Sequence, residues 1–299
     1  MYSINKVLYH SITLFLFIFS DLKTIVIPTT IFGVSNALAA VRHSNSSSPP
    51  RHSSAILSRT PLVFFWVVVN LLPFAINNQK LPMSIAEDAI NKPWRPMPSQ
   101  RLHPSQASAL MYILYIIAQL YSASIGGLWQ GFFLVLLGTW YNNLGGAENS
   151  PFLRNGINSL GYACFLSGAL EVALGVPLSS FPSLKLASWL GVIAAIIFTT
   201  IHTQDFRDQE GDALRRRRTL PLVLGDAKSR WLVALWMPVW GILCPLMWDI
   251  GMFTRLLEFL LAGYVGFRCV RYRSVSADKR TFMLWNLWIS FLYVLPLLD

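Results

Sequence analysis

The stretch TQDFRDQEGDALRRRRTLP (203–221) separates two apolar runs and sets three aspartates ahead of four consecutive arginines. Asp205, Asp208 and Asp212 are spaced i, i+3 and i+7, so on a helical continuation of the preceding run they share one face, while Glu210 points elsewhere. Acid beside base can be plain charge balance on a solvated loop. It can also be the two halves of a site, because carboxylates crowded on one face repel unless a cation lies between them. Oxygen-only ligands of this kind suit Mg²⁺, which takes one or two carboxylates and leaves its other positions to water and phosphate oxygens.

The surroundings place the stretch in a membrane protein. Of 299 residues, 54% are hydrophobic and 13% charged, with a mean hydropathy of +0.48. Soluble domains carry about 25% charged residues. A helix needs about 20 apolar residues to cross the hydrocarbon core. Segments 22–40, 60–77, 105–122, 126–142, 157–175, 185–203, 229–248, 252–270 and 281–298 come close. They predict an all-α, polytopic membrane helix bundle of about nine transmembrane helices, forming one membrane-embedded domain over 1–299. The polar SDLKT (20–24) interrupts the first apolar region, so 1–20 reads as a short interfacial N-terminal segment rather than part of a signal peptide. The Ser- and Pro-rich 42–56 reads as a flexible loop on the far side, and it holds the glycosylation pattern Asn45-Ser46-Ser47.

Basic residues divide unevenly between the two sides. Lys80, Lys92, Arg95, Arg101, Arg154, Arg207, Arg215 to Arg218, Lys228, Arg271, Arg273, Lys279 and Arg280 follow even-numbered spans; Arg42, Arg51, Arg59, Lys185 and Arg255 lie opposite. The positive-inside rule then predicts a cytosolic N-terminus and a multi-pass protein of the endoplasmic reticulum, its acidic segments facing the cytosol. The same rule accounts for the net charge of +10 without nucleic acid as a partner. Cys164, Cys244 and Cys269 sit in apolar runs without paired ligands, which argues against disulfides and zinc.

A second polar segment, INNQKLPMSIAEDAINKPWRPMPSQRL (76–102), repeats the logic of the first. Ser84, Glu87, Asp88 and Asn91 fall on one face of a short helix that Pro82 opens and Pro93 closes, with Lys92 and Arg95 following. The two segments follow the second and sixth spans, emerge on one side and can face each other. Carboxylates bind a diphosphate only through a bridging metal, while Arg and Lys neutralise the remaining charge, Arg gripping two oxygens at once. Stabilising diphosphate as it leaves is the catalytic act. The companion requirement is a dry pocket with aromatic faces for a carbocation, for which Trp129, Phe132, Trp140, Tyr141 and Tyr162 are available.

At EDAINKPWRPMPSQRL (87–102), DFRDQEGDALRRRRTLP (205–221) and, more weakly, RNGINSLGY (154–162), the chain resembles the UbiA superfamily of intramembrane prenyltransferases. It is most similar to a fungal branch that includes terpene cyclases. The resemblance covers essentially the whole chain. It implies Mg²⁺ and an isoprenyl diphosphate bound beneath a polar cap, with the lipid bilayer and a hydrophobic acceptor as further partners. Asp205, Asp208, Asp212, Asp88, Glu87 and Asn78 become the metal ligands, with Asp208, Asp212 and Asp88 carrying catalysis. Lys92, Arg95, Arg154, Arg217 and Arg218 become the diphosphate ligands. The first motif departs from the family pattern Asn-Asp-x-x-Asp-x-x-x-Asp: anchored on Asp88 and Pro93, its earlier positions fall on Lys80, Leu81 and Ser84.

The leading function is Mg²⁺-dependent ionisation of an isoprenyl diphosphate followed by prenyl transfer, with intramolecular cyclisation to a terpene as the alternative. An ion-coupled transporter is the remote alternative, for which Glu258, inside the eighth span, is the main support. Asn158, one turn inside the fifth span, reads either as a functional polar group or as glue between helices. His202, bordering the acidic face, reads as a satisfied interfacial residue.

Overall fold

Proline placement marks where several helices begin. Pro61, Pro82, Pro104 and Pro151 each stand in the first turn of a helix, where the missing N–H costs nothing. The computed structural model describes residues 2–42, 52–180 and 182–299. Its α-helices are α1 Tyr2–Ile18, α2 Ile27–Arg42, α3 Ser53–Ser58, α4 Thr60–Gln79, α5 Pro82–Asn91, α6 Pro104–Ile125, α7 Leu128–Asn143 and α8 Pro151–Leu174. They continue as α9 Leu184–Thr200, α10 Gln209–Leu214, α11 Leu220–Leu224, α12 Asp226–Met247, α13 Met252–Arg271, α14 Val275–Leu292 and α15 Leu295–Leu298. No strand occurs among the described residues.

Each predicted span falls on a helix, yet membrane-crossing length is less uniform than the sequence suggested. Six helical runs among the described residues are long and apolar enough to cross: Asn5–Arg42, Ser53–Gln79, Pro104–Ile125, Pro151–Leu174, Leu184–Arg207 and Asp226–Met247. At 16 residues α7 spans about 24 Å, short of a hydrocarbon core of about 30 Å. Helices α13 and α14 dilute their apolar faces with Arg255, Glu258, Asp278, Lys279 and Arg280.

The long helices alternate in direction, and arginine hydrogen bonds at the two ends record it. At one end Arg59, preceding α4, donates to the carbonyls of Ile125 and Val172 at the ends of α6 and α8. At the other, the cap end, Arg154 opens α8 and reaches Tyr141 at the end of α7 and Asp205 beyond α9. There too Arg230 of α12 bonds the carbonyls of Cys269 and Tyr272 and the carboxylate of Asp278, tying α13 to α14. Close packing of α4 on α8 depends on Gly168, where any Cβ would collide with the Trp66 ring.

Two chain breaks shape the cap. SDLKT becomes a 3₁₀ turn, Phe19–Asp21, followed by a π turn, Leu22–Val26, between α1 and α2. After α9 the chain tightens into a 3₁₀ helix, Ile201–Arg207. Of the expected 42–56 loop, residues 43–51, including Asn45-Ser46-Ser47, lie outside the described residues, and α3 begins at Ser53.

Candidate active site

The 3₁₀ helix corrects the expected arrangement of the acidic triplet. The chain leaves helical geometry at Asp208 (φ −107°, ψ 8°) between this turn and α10, so the three aspartates do not follow one continuous α-helix. Asp205 ends up beside Arg154, donor to acceptor 2.9 Å, whereas Asp208 flanks α10 and accepts from Arg207 at 3.4 Å. Asp212 lies within α10 and accepts from Arg217 at 3.1 Å.

Helix α5 packs directly on α10. A Cβ at Gly211 would collide with the Asn91 amide nitrogen, so a side chain there displaces that amide. The approach lets Arg217 Nη1 bridge the two acidic segments, donating to Glu87 at 2.9 Å as well as to Asp212. Arg95 donates to both oxygens of Asp88 at 2.9 and 3.0 Å. Asn78, Glu87, Asp88, Lys92, Arg95, Arg154, Asp208, Asp212 and Arg217 all line one cavity, and Asp205 lies just behind Arg154.

The residues of this cap fit a divalent cation bound through oxygen. Asp205 Oδ2, Asp212 Oδ2 and Asn78 Oδ1 are buried without partners. Buried polar atoms are rarely left so unless something else completes them. Of three neighbouring amides, Asn77 and Gln79 leave their oxygens unpartnered too but donate their nitrogens to Asn143 and the Phe17 carbonyl; Asn78, which lines the cavity as Gln79 does, has no side-chain hydrogen bond to hold it. Among the described residues no three acidic, His or Cys side chains converge into a ready-made metal site.

The carboxylates occupy opposed electrostatic environments. Burial pushes Asp212 up to about 6, against Arg154 and with the repulsion of Asp205. Burial likewise raises Asp88 despite Arg95 and Lys92. Burial would also raise Asp208, but Lys92 and Arg207 outweigh it and hold that carboxyl below its ordinary value. Lys92 is itself lowered, chiefly by burial and then by Arg95.

A second, apolar cavity opens beneath the first. Ile25, Phe74, Tyr141, Asn158 and Tyr162 belong to both walls, and Leu134, Leu137, Ile157 and Phe165 line the deeper one. Charged pocket and greasy chamber therefore adjoin, with these five residues between them.

Comparison with known proteins follows the same lines. The model of the UbiA prenyltransferase family matches residues 26–288. The chain belongs to the UbiA prenyltransferase family. A fumagillin beta-trans-bergamotene synthase of Aspergillus fumigatus is 34% identical over 188 residues, 62% of each chain. The polyprenyl transferase eriF of Hericium erinaceus is 25% identical over 97% of this chain and 96% of its own. A UbiA homologue from Archaeoglobus fulgidus, solved with DMAPP and Mg²⁺, shares the fold at a TM-score of 0.56, with 12% identity over 92% of this chain and 98% of that one.

Within this UbiA fold the arginine run is used differently from the expectation. Arg217 lines the cavity, but Arg218 is exposed and only its backbone N–H is engaged, on the Glu148 carbonyl. Alternate side chains of this turn are buried, so Arg215 is the second buried arginine; it stands behind the cavity wall and donates to Ser84, Glu87 and Glu148 at 2.8, 3.2 and 2.8 Å. Glu148, in the loop before α8, was missed because a lone acid among GGAENS carries no motif signal. Ser20, Asp21 and Thr24 also reach the cavity, brought there by the irregular turns between α1 and α2. Of the aromatic candidates, Tyr141 and Tyr162 line the chamber, whereas Trp129, Phe132 and Trp140 are exposed on the outer surface. His202 is buried on the Ser229 carbonyl at 3.2 Å and is absent from the cavity wall. Glu258 is buried outside both cavities.

Proposed function

We propose that this UbiA-family protein is an integral-membrane enzyme that ionises an isoprenyl diphosphate in an Mg²⁺-dependent reaction. The observation that carries the reading is the meeting of both acidic segments, with unpartnered oxygens and inward arginines, at the mouth of an apolar chamber. Mg²⁺ held by Asp205, Asp208, Asp212, Asp88, Glu87 and Asn78 would supply charge neutralisation for the departing diphosphate.

Each group of the chain then has a separable task. Arg217, Arg154, Arg95 and Lys92 bind the diphosphate oxygens, exchanging some of their carboxylate partners for phosphate. Catalysis rests on Asp208, Asp212 and Asp88, which would hold the metal charge where negative charge grows as the C1–O bond breaks. The chamber below excludes water and offers the faces of Phe74, Tyr141 and Tyr162 to the allylic cation.

Prenyl transfer to a hydrophobic acceptor is the first reading of the cation's fate. Intramolecular cyclisation is the second, favoured by 34% identity to a bergamotene synthase. The excess of Lys and Arg on the cap side supports a cytosolic mouth in the endoplasmic reticulum membrane. Purified protein given farnesyl diphosphate and Mg²⁺ without acceptor tests both points. Diphosphate release with a cyclic hydrocarbon establishes cyclisation; release that needs an added aromatic or lipid acceptor establishes transfer. No release from any isoprenyl chain length contradicts the proposal.

A further inference from the structure

One face of α8 runs down the wall shared by the two cavities. Arg154, Asn158, Tyr162 and Phe165 recur at steps of four, four and three, the repeat of a single helical stripe. Arg154 lines the charged cavity, Asn158 and Tyr162 line both, and Phe165 lines only the apolar chamber. Polarity thus falls from guanidinium through amide and phenol to phenyl. At about 1.5 Å per residue, Asn158 sits about 6 Å below Arg154 along the helix, at the border between charge and grease.

Asn158 differs from its polar neighbours on the same helix. Asn155 and Ser159 donate to the carbonyls of Phe198 and Ala194 on α9, as polar side chains that join helices do. Asn158 makes no hydrogen bond to the protein, and its amide nitrogen is buried without a partner. With the nitrogen sealed off, the amide oxygen is the atom left for whatever fills the cavity.

We propose, resting on the ionisation reading above, that Asn158 is a catalytic residue contacting the first isoprene unit, its amide oxygen stabilising the allylic cation. As the C1–O bond breaks, its electron pair leaves with the diphosphate oxygen and positive charge spreads over C1 to C3. No proton moves in this step. A fixed amide dipole with its negative end toward those carbons favours the transition state over the ground state.

The test uses the full-length protein in detergent with farnesyl diphosphate and Mg²⁺, reading diphosphate release and product pattern for Asn158→Leu, Asn158→Ala and Asn158→Ser. Asn155→Ala serves as the purely structural control. For Asn158→Leu and Asn158→Ala, kcat is expected to fall about 100-fold while KM stays near wild type, with Ser recovering part of the loss through its hydroxyl. Products that retain no cyclisation or transfer should rise in proportion. Wild-type kcat and products in the Leu and Ala variants, or a loss that merely tracks falling Tm as in Asn155→Ala, would overturn the assignment. Should Asn158→Leu fail to fold, the Ala and Ser pair makes the same comparison. A wild-type protein that releases no diphosphate sinks the ionisation reading and this inference together; active wild type with indifferent variants sinks this inference alone.

Discussion

The two ends of the bundle use charge in opposite ways. At the far end Glu171 accepts from the backbone N–H groups of Gly127 and Leu178 and from Gln130, at 2.8, 3.2 and 3.2 Å. Arg59 beside it donates to two carbonyls that close α6 and α8. These charges finish helices and leave their carboxylate oxygens satisfied. At the cap end the acids are more numerous and more deeply buried, yet Asp205, Asp212 and Asn78 each keep an oxygen without a partner. Burial with incomplete bonding costs stability, by about 1–3 kcal/mol per neutral group. Asp212 and Asn78 line the charged cavity, where a bound group would complete their oxygens; Gln130 at the far end and Glu258 also keep unpartnered oxygens, but away from both cavities.

The sharpest way to break this contrast is to neutralise the cap acids. Asp212→Asn and Asp208→Asn should each lower diphosphate release by about 1,000-fold, the several kcal/mol that metal-assisted charge neutralisation supplies. Thermal unfolding of Asp212→Asn should be unchanged or shifted upward, because burial already disfavours the ionised carboxylate. Turnover surviving either change would show the cap charges to be structural after all.

Next comes the arginine turn. Arg217→Ala should cost about 100-fold in turnover, as loss of one preorganised donor does. Arg218→Ala should leave turnover within about twofold, since exposed side chains without partners contribute little. Equal losses at the two positions would mean that the alternation of inward and outward arginines is wrong.

A smaller effect follows from pH. Asp212 binds a proton below about pH 6, and protons compete with a metal for the same oxygens. The Mg²⁺ concentration giving half-maximal rate should therefore rise as pH falls through that value, by up to about tenfold per unit for one competing site. A Mg²⁺ requirement flat between pH 7 and pH 5, a window set by that value of about 6, would remove Asp212 from the metal shell. Smallest in turnover is Glu171→Gln, which should lower Tm while leaving the rate per folded molecule unchanged. A catalytic defect there would erase the distinction between the ends.

Much of the cap was legible in the sequence because oxygen donors and arginines at helical spacing are uncommon in apolar chains. Helix existence was equally legible, since apolar length and N-terminal prolines act locally. The 3₁₀ turn at 201–207 was not: Asp205, Asp208 and Asp212 fit an α-helical face, and only packing against α8, α12 and α14 reveals that the helix tightens. Nor could spacing tell Arg215 from Arg218, because a turn with Arg216 at positive φ decides which side chains face inward. Asn78 became distinguishable from Asn77 and Gln79 only through the partners those two take. Glu148 needed tertiary structure altogether.

Joint action of the two acidic segments is most directly measured by a double-mutant cycle between Asp88→Asn and Asp212→Asn. Its readout is Mg²⁺-dependent binding of inorganic diphosphate to the full-length protein by calorimetry. The expected result is strong non-additivity, with the second substitution adding little once the first has emptied the shared site. Losses that simply add would mean that the two segments bind independently, contradicting a single shared diphosphate site.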